Sequence, residues 1–261
     1  MAGDHETRRR LASRRLLHGT TAQGSPEAGS RRRVRRPVPG GERAAHPLIV
    51  DVGALAAELA GLASTRRRTI IGICGAPGAG KSTLAGLLVR AVNEIAAGTA
   101  VVVGMDGFHL AKSVIAVDDR SLRRGAPDTF DAAGYAAMLA RLRTGDDDIV
   151  YAPEYRREIE DPVNAAIAVS RSVRLVVTEG NYLLHPDWVT ARAQLDEVWY
   201  LEAPDESVRV EHLIARHVRY GKPPERARDH VLTSDERNAA LVASHRERAD
   251  RVLRWPAWSL S

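Results

Sequence analysis

Nine consecutive residues, Gly75 to Thr83, read Gly-Ala-Pro-Gly-Ala-Gly-Lys-Ser-Thr. A glycine, four residues, a second glycine, a lysine and a hydroxyl residue is the spacing of a loop that wraps a triphosphate. Gly75, Gly78 and Gly80 permit the positive-φ backbone that turns successive N–H groups inward, and Ala76, Pro77, Ala79 and Thr83 complete the cradle. Lys81 is then placed to neutralise the β and γ phosphates, and the Ser82 hydroxyl to ligate Mg2+. The alternative, a glycine-rich turn arising by chance, leaves the segments on either side unexplained.

Those segments are the elements such a loop requires. Thr69 to Cys74 is a β-branched apolar run that predicts a buried parallel strand, and Ser82 to Arg90 has helical spacing, which sets a helix N-terminus under the phosphates. Ala100 to Met105 predicts a second buried strand stopping at Asp106, and Val173 to Thr178 a third ending at Glu179. Glu197 to Leu201 predicts a fourth, followed by a basic helix over Asp205 to Arg219. Further helices are expected over Val50 to Ala63 and over Asp131 to Leu142, the second with Asp131 available as its cap. Strands alternating with helices give an α/β fold, a parallel sheet flanked by helices, with its strand ends on one edge. Asp106 and Glu179 thereby reach the edge that carries Lys81, where a carboxylate acts on Mg2+, on an attacking hydroxyl, or on both. Capping of a turn is the other reading of each acid. His109 stands three residues beyond Asp106, within reach of a substrate, and no His/Cys cluster of zinc spacing accompanies it.

Taken together, Gly75 to Thr83, Met105-Asp106-Gly107-Phe108-His109, Arg124 to Asp131 and Thr178-Glu179-Gly180-Asn181-Tyr182 resemble the phosphoribulokinase and uridine kinase family of P-loop kinases, which includes bacterial pantothenate kinase. The chain is most similar to a nucleoside or nucleotide kinase-like branch, some of whose members are described as fructose-transport-associated kinases. The resemblance runs from Thr69 to the C-terminus. It implies a P-loop NTPase fold with a helical lid, ATP and Mg2+ as cofactors, and a small-molecule hydroxyl as phosphate acceptor: a nucleoside, a sugar or a pantothenate-like alcohol. It further implies that Asp106 is the catalytic base or hydroxyl orienter, that Glu179 joins Ser82 in holding Mg2+, and that Asp131 binds substrate hydroxyls. Pro153 to Pro162 is similar to the family's substrate-covering hairpin, with Tyr155 as a substrate contact. Uridine kinases tend to carry a histidine in that hairpin, and none stands between His109 and His185, which argues against a pyrimidine nucleoside. Arg209, His212 and Arg216 share one helix face, matching a lid whose arginines clamp the transferring phosphate; Arg216 takes the catalytic part and Arg209 contacts substrate. Asn238 matches a position of the branch with no assigned role.

Charge is unevenly placed. The chain's net charge is +5, yet residues 1–46 hold eleven arginines against four acids, so the remainder is slightly acidic at −2. The high pI is therefore no argument for specific nucleic-acid binding by the folded part. Residues 1–46 have little apolar periodicity and much Arg, Gly, Ser and Pro, which predicts a disordered tail ahead of a kinase domain over 47–261. A targeting peptide, an RNA-touching arm and an N-terminus assigned too far upstream are the readings open for it, beside a plain solvated extension. Cys74 is the only cysteine and sits in an apolar strand, which excludes an intrachain disulfide and gives a cytoplasmic expectation; it reads as a small buried hydrophobe or a reactive thiol. No apolar run reaches membrane-spanning length, so no membrane partner is expected, and a homodimer stays open. The rival to a kinase is a nucleotide-binding regulator or GTPase switch. After Leu201 the chain reads Glu202-Ala203-Pro204-Asp205, without the lysine of a guanine-reading element, and no Leu-Ser-Gly-Gly transporter signature occurs. Deleting residues 1–46 should leave thermal stability and nucleotide binding nearly unchanged; loss of soluble folded protein on deletion would contradict the tail assignment.

Overall fold

The computed structural model describes residues 47–65 and 67–256, and the chain within them alternates strands with helices. The disorder expected over residues 1–46 lies outside the described residues. In chain order the elements are β1 (Leu48–Ile49), α1 (Val52–Thr65), β2 (Thr69–Cys74), α2 (Lys81–Ile95), β3 (Ala100–Gly104), α3 (Lys112–Ile115) and α4 (Ala132–Thr144). They continue with β4 (Ile149–Arg156), β5 (Asp161–Ser170), β6 (Leu175–Glu179), α5 (Val189–Arg192), β7 (Glu197–Glu202), α6 (Glu206–Arg219), α7 (Pro224–His230), a π-helical turn (Val231–Asp235), α8 (Glu236–Ala243) and β8 (Arg251–Arg254).

Six strands form one parallel sheet in the order β1-β8-β7-β2-β6-β3. β2 is central, and all six of its residues are buried, as a continuous apolar run between two layers of helices requires. Successive side chains point to opposite faces, so Ile70 and Cys74 join one core with Val176, Val198 and Tyr200. Ile71 and Ile73 join the other with Leu88, Val177 and Trp199. The thiol of Cys74 donates to Asn181 O at 3.1 Å, and burial pushes it up to about 11, so at neutral pH it stays protonated and its reading as a buried hydrophobe fits.

Register fixes the functional edge. Glu179 of β6 pairs level with Ile73 of β2 on one side and Gly104 of β3 on the other. Two residues beyond Ile73 the glycine-rich loop begins; two beyond Gly104 stands Asp106, in a 3-10 turn (Met105–Phe108). Below Glu179, the Thr178 hydroxyl donates to Val103 O at 2.5 Å and is paired with the Tyr135 hydroxyl at 2.6 Å, which locks the end of β6 against β3 and α4.

β4 and β5 form a separate antiparallel hairpin, bulged between Ala152 and Glu154. It closes directly on the turn that carries Asp106: a Cβ on Gly107 would sit 2.4 Å from Pro153 O, so only glycine lets the two backbones meet. After β7, α6, α7, the π-helical turn and α8 make the helical lid. Asp205 caps α6, accepting from Ser207 N and Val208 N. Among the described residues no helix is long and apolar enough to cross a membrane.

Candidate active site

The loop from Gly75 to Gly80 bends around the side chain that follows it. Lys81 is only 7% exposed, and its ammonium donates to Gly75 O and Ala76 O, both at 2.9 Å. Burial lowers its proton affinity, while the neighbouring Glu179 and Asp106 carboxylates oppose that shift. The loop reaches this shape through residues in left-handed backbone; Gly80 has φ 88°, and a Cβ there would stand 2.6 Å from the indole nitrogen of Trp255. That indole N–H is itself buried without a hydrogen-bond partner.

Ser82 opens α2 and donates its hydroxyl to Glu179 Oε1 at 3.0 Å. Glu179 is buried, and burial together with the nearby Asp106 carboxylate raises its proton affinity, against the pull of Lys81 and the Ser82 hydrogen bond. Two carboxylates converging beside one hydroxyl offer hard oxygen donors and an unfavourable like-charge pair, a combination that a divalent cation such as Mg2+ relieves. The residues present therefore fit that ion.

Two cavities flank this centre. One, of about 630 Å³, lies over the loop and the start of α2 and is bounded by Gly78, Lys81, Ser82, His212 and Trp255. The other, of about 540 Å³, is lined by Asp106, His109, Arg124, Tyr155 and Asn238, among others. Arg157 from the hairpin and Arg216 from α6 line both. Arg157 Nη2 stands 3.9 Å from Asp106 Oδ2. Burial, and then the Arg157 charge, lower the proton affinity of Arg216.

His109 is wedged between aromatic rings, 4.0 Å from Phe130 and 4.8 Å from Tyr155 between centroids. Its Nδ1 lies 2.8 Å from Asp106 O, so a neutral ring donates there and leaves Nε2 as an acceptor. Burial lowers its proton affinity, which favours the neutral ring. The hydrogen bond also ties His109 to the residue that carries the candidate base.

Of the residues singled out in the sequence, Lys81, Ser82, Asp106, His109, Tyr155, Glu179 and Arg216 thus meet around the two cavities. Two do not. Asp131 caps α4, accepting from Gly134 N at 2.7 Å, and lines a different cavity of about 450 Å³. Helix nucleation claims its carboxylate. Arg209 is 1% exposed and lies behind the loop: it donates to Pro77 O at 2.9 Å and pairs with Glu206 at 2.7 Å and Glu236 at 2.5 Å. Its placement supports the phosphate loop rather than contacting a substrate. Arg157, Arg124 and Asn181 enter the site without having been singled out for it; Arg157 lies two residues from Tyr155, the one local hint of a shared side.

No protein-family model matches the chain. A curated relative, the ATP-dependent kinase-like protein notR' of Aspergillus versicolor, is 35% identical over 153 residues, 54% of this chain and 88% of its own length. A candidate uridine kinase of Schizosaccharomyces pombe is 36% identical over 158 residues, 58% of this chain and 64% of its own. Among solved structures, a candidate fructose transport system kinase from Silicibacter sp. TM1040 superposes with a TM-score of 0.70 at 31% identity, covering 79% of this chain and all of that one.

Replacing Arg209 by alanine should destabilise the protein by about 2 kcal/mol, the scale of lost hydrogen bonds to a charged group. It should also weaken nucleotide binding by loosening Pro77. Chemical denaturation and calorimetric titration check both, and an unchanged denaturation midpoint would contradict the supporting role.

Proposed function

The chain belongs to the phosphoribulokinase and uridine kinase family of P-loop kinases, and from that premise we propose that it moves the γ-phosphoryl group of MgATP to a hydroxyl of a small molecule. The observation that carries the reading is the meeting, at one sheet edge, of Lys81, the Ser82–Glu179 pair and Asp106, with Asp106 facing a second cavity beside the loop. A mere nucleotide binder has no need of a carboxylate facing a second, acceptor-sized cavity.

MgATP, when bound, supplies the transferable phosphoryl group and the metal charge that offsets its negative oxygens. Lys81 and the backbone from Gly75 to Ser82 would hold the nucleotide phosphates, and Ser82 with Glu179 would hold Mg2+. Asp106 accepts the acceptor's hydroxyl hydrogen bond and takes its proton as the oxygen becomes a nucleophile. Arg216 and Arg157, which border both cavities, would offer N–H groups to charge developing on the transferring phosphoryl group. His109 and Tyr155 wall the acceptor side. A cavity of about 540 Å³ with aromatic walls and several polar groups suits a molecule the size of a sugar, a nucleoside or a pantothenate-like alcohol.

The test is ADP formation from MgATP against a panel of such alcohols, followed by a Mg2+ titration of two variants on whichever acceptor responds. Asp106→Asn should lower the transfer rate by about 100-fold or more with little change in nucleotide affinity. Glu179→Gln should chiefly raise the Mg2+ requirement. A metal defect in the first and a metal-independent rate loss in the second would exchange the two roles. Full activity in both would remove the chemistry from this edge.

A further inference from the structure

Three side chains of the helical lid converge beside the acceptor-side cavity. His217 on α6, His230 at the end of α7 and Asp235 at the end of the π-helical turn each bring a ring nitrogen or carboxylate oxygen within 4.8 Å of the other two. All three are half-buried and line the cavity that holds Asp106. His217 Nε2 and Asp235 Oδ2 are 2.9 Å apart, and the two imidazole centroids 5.0 Å apart.

The backbone is bent to make this meeting. Between α7 and α8 the chain takes a π-helical turn, a costly conformation that inserts an extra residue into the helix and recurs at functional sites. Asp235 is its last residue, and the widened turn is what sets its carboxylate against α6. Two imidazoles and one carboxylate form a donor set suited to borderline divalent transition ions, whereas Mg2+ takes oxygen donors.

We propose that His217, His230 and Asp235 bind a divalent transition-metal ion of the zinc class, at a second metal site separate from the Ser82–Glu179 position. Tetrahedral coordination at zinc bond lengths sets ligand atoms roughly 3.3 Å apart, so small side-chain rotations close the cluster. The ion replaces the hydrogen shared by His217 and Asp235. That proton passes to solvent, or the ring keeps one proton as the Nδ1–H tautomer while Nε2 ligates. Three protein ligands leave a coordination position open for water or an oxygen of a molecule in the cavity. His217 directly follows Arg216, so an ion here also fixes the end of α6 that carries the guanidinium between the two cavities. The site stands independently of the kinase reading.

The experiment is titration of chelator-treated full-length protein with Co2+, followed by its visible d–d absorption, and with Zn2+ by calorimetry. His230→Gln and Asp235→Asn are compared with His185→Gln, a control that alters the other described histidine pair, His185 and His245. Circular dichroism checks that each stays folded. The expected result is stoichiometric binding that weakens at least about tenfold in both lid variants and is unchanged in the control. Absence of stoichiometric binding, or binding that survives both lid substitutions, overturns the proposal.

Discussion

A buried ammonium organises this molecule. Lys81 lies at the start of α2, almost wholly shielded from water, and a lone positive charge in that position is costly unless its hydrogens are used and its field is answered. The loop answers the first need by curling until Gly75 O and Ala76 O accept from it. Glu179 and Asp106, delivered by two neighbouring strand ends, answer the second. The supporting parts follow from holding that curl: Arg209 fastens Pro77 from behind, and Trp255 packs on Gly80 from the side.

The same electrostatics shape the cleft. Gathering Glu179 beside Asp106 leaves two acids in mutual repulsion, which favours a cation between them, while Arg157 and Arg216 approach from outside the sheet. These arginines come from the β4–β5 hairpin and the lid, neither of which pairs with the main sheet, so the residues shared by the two cavities are supplied by the periphery of the topology rather than its centre. The arrangement divides labour: the sheet edge carries the glycine-rich loop and the two acids, and the hairpin and lid supply the surrounding cations.

Much of the sheet edge was legible in the sequence because parallel strands buried on both faces read as unbroken apolar runs. Thr69 to Cys74 matches its strand residue for residue, and the predicted ends at Asp106 and Glu179 fall within two residues of the observed ones. The two short strands at one end of the sheet, the edge strand β1 and its neighbour β8, carry too few residues for any pattern to stand out. Asp131 and Arg209 show a different limit. Both have the residue type of a substrate contact, but one is taken by the N-terminus of α4 and the other by Glu206, Glu236 and Pro77, partners that only the folded chain identifies. Arg157 and the His217–His230–Asp235 cluster were hidden for the converse reason: their meeting depends on how the hairpin and the lid fold over, and on a π-helical turn with no sequence signature.

The account rests on Lys81 as the group that makes the loop a phosphate site, and calorimetric titration of MgATP into the full-length protein and its Lys81→Ala variant tests it directly. With far-UV circular dichroism showing both folded, loss of charge-assisted hydrogen bonds should weaken binding by about tenfold to a hundredfold. Equal affinity in a folded variant would contradict it, because the loop would then hold nucleotide without the charge around which it is built.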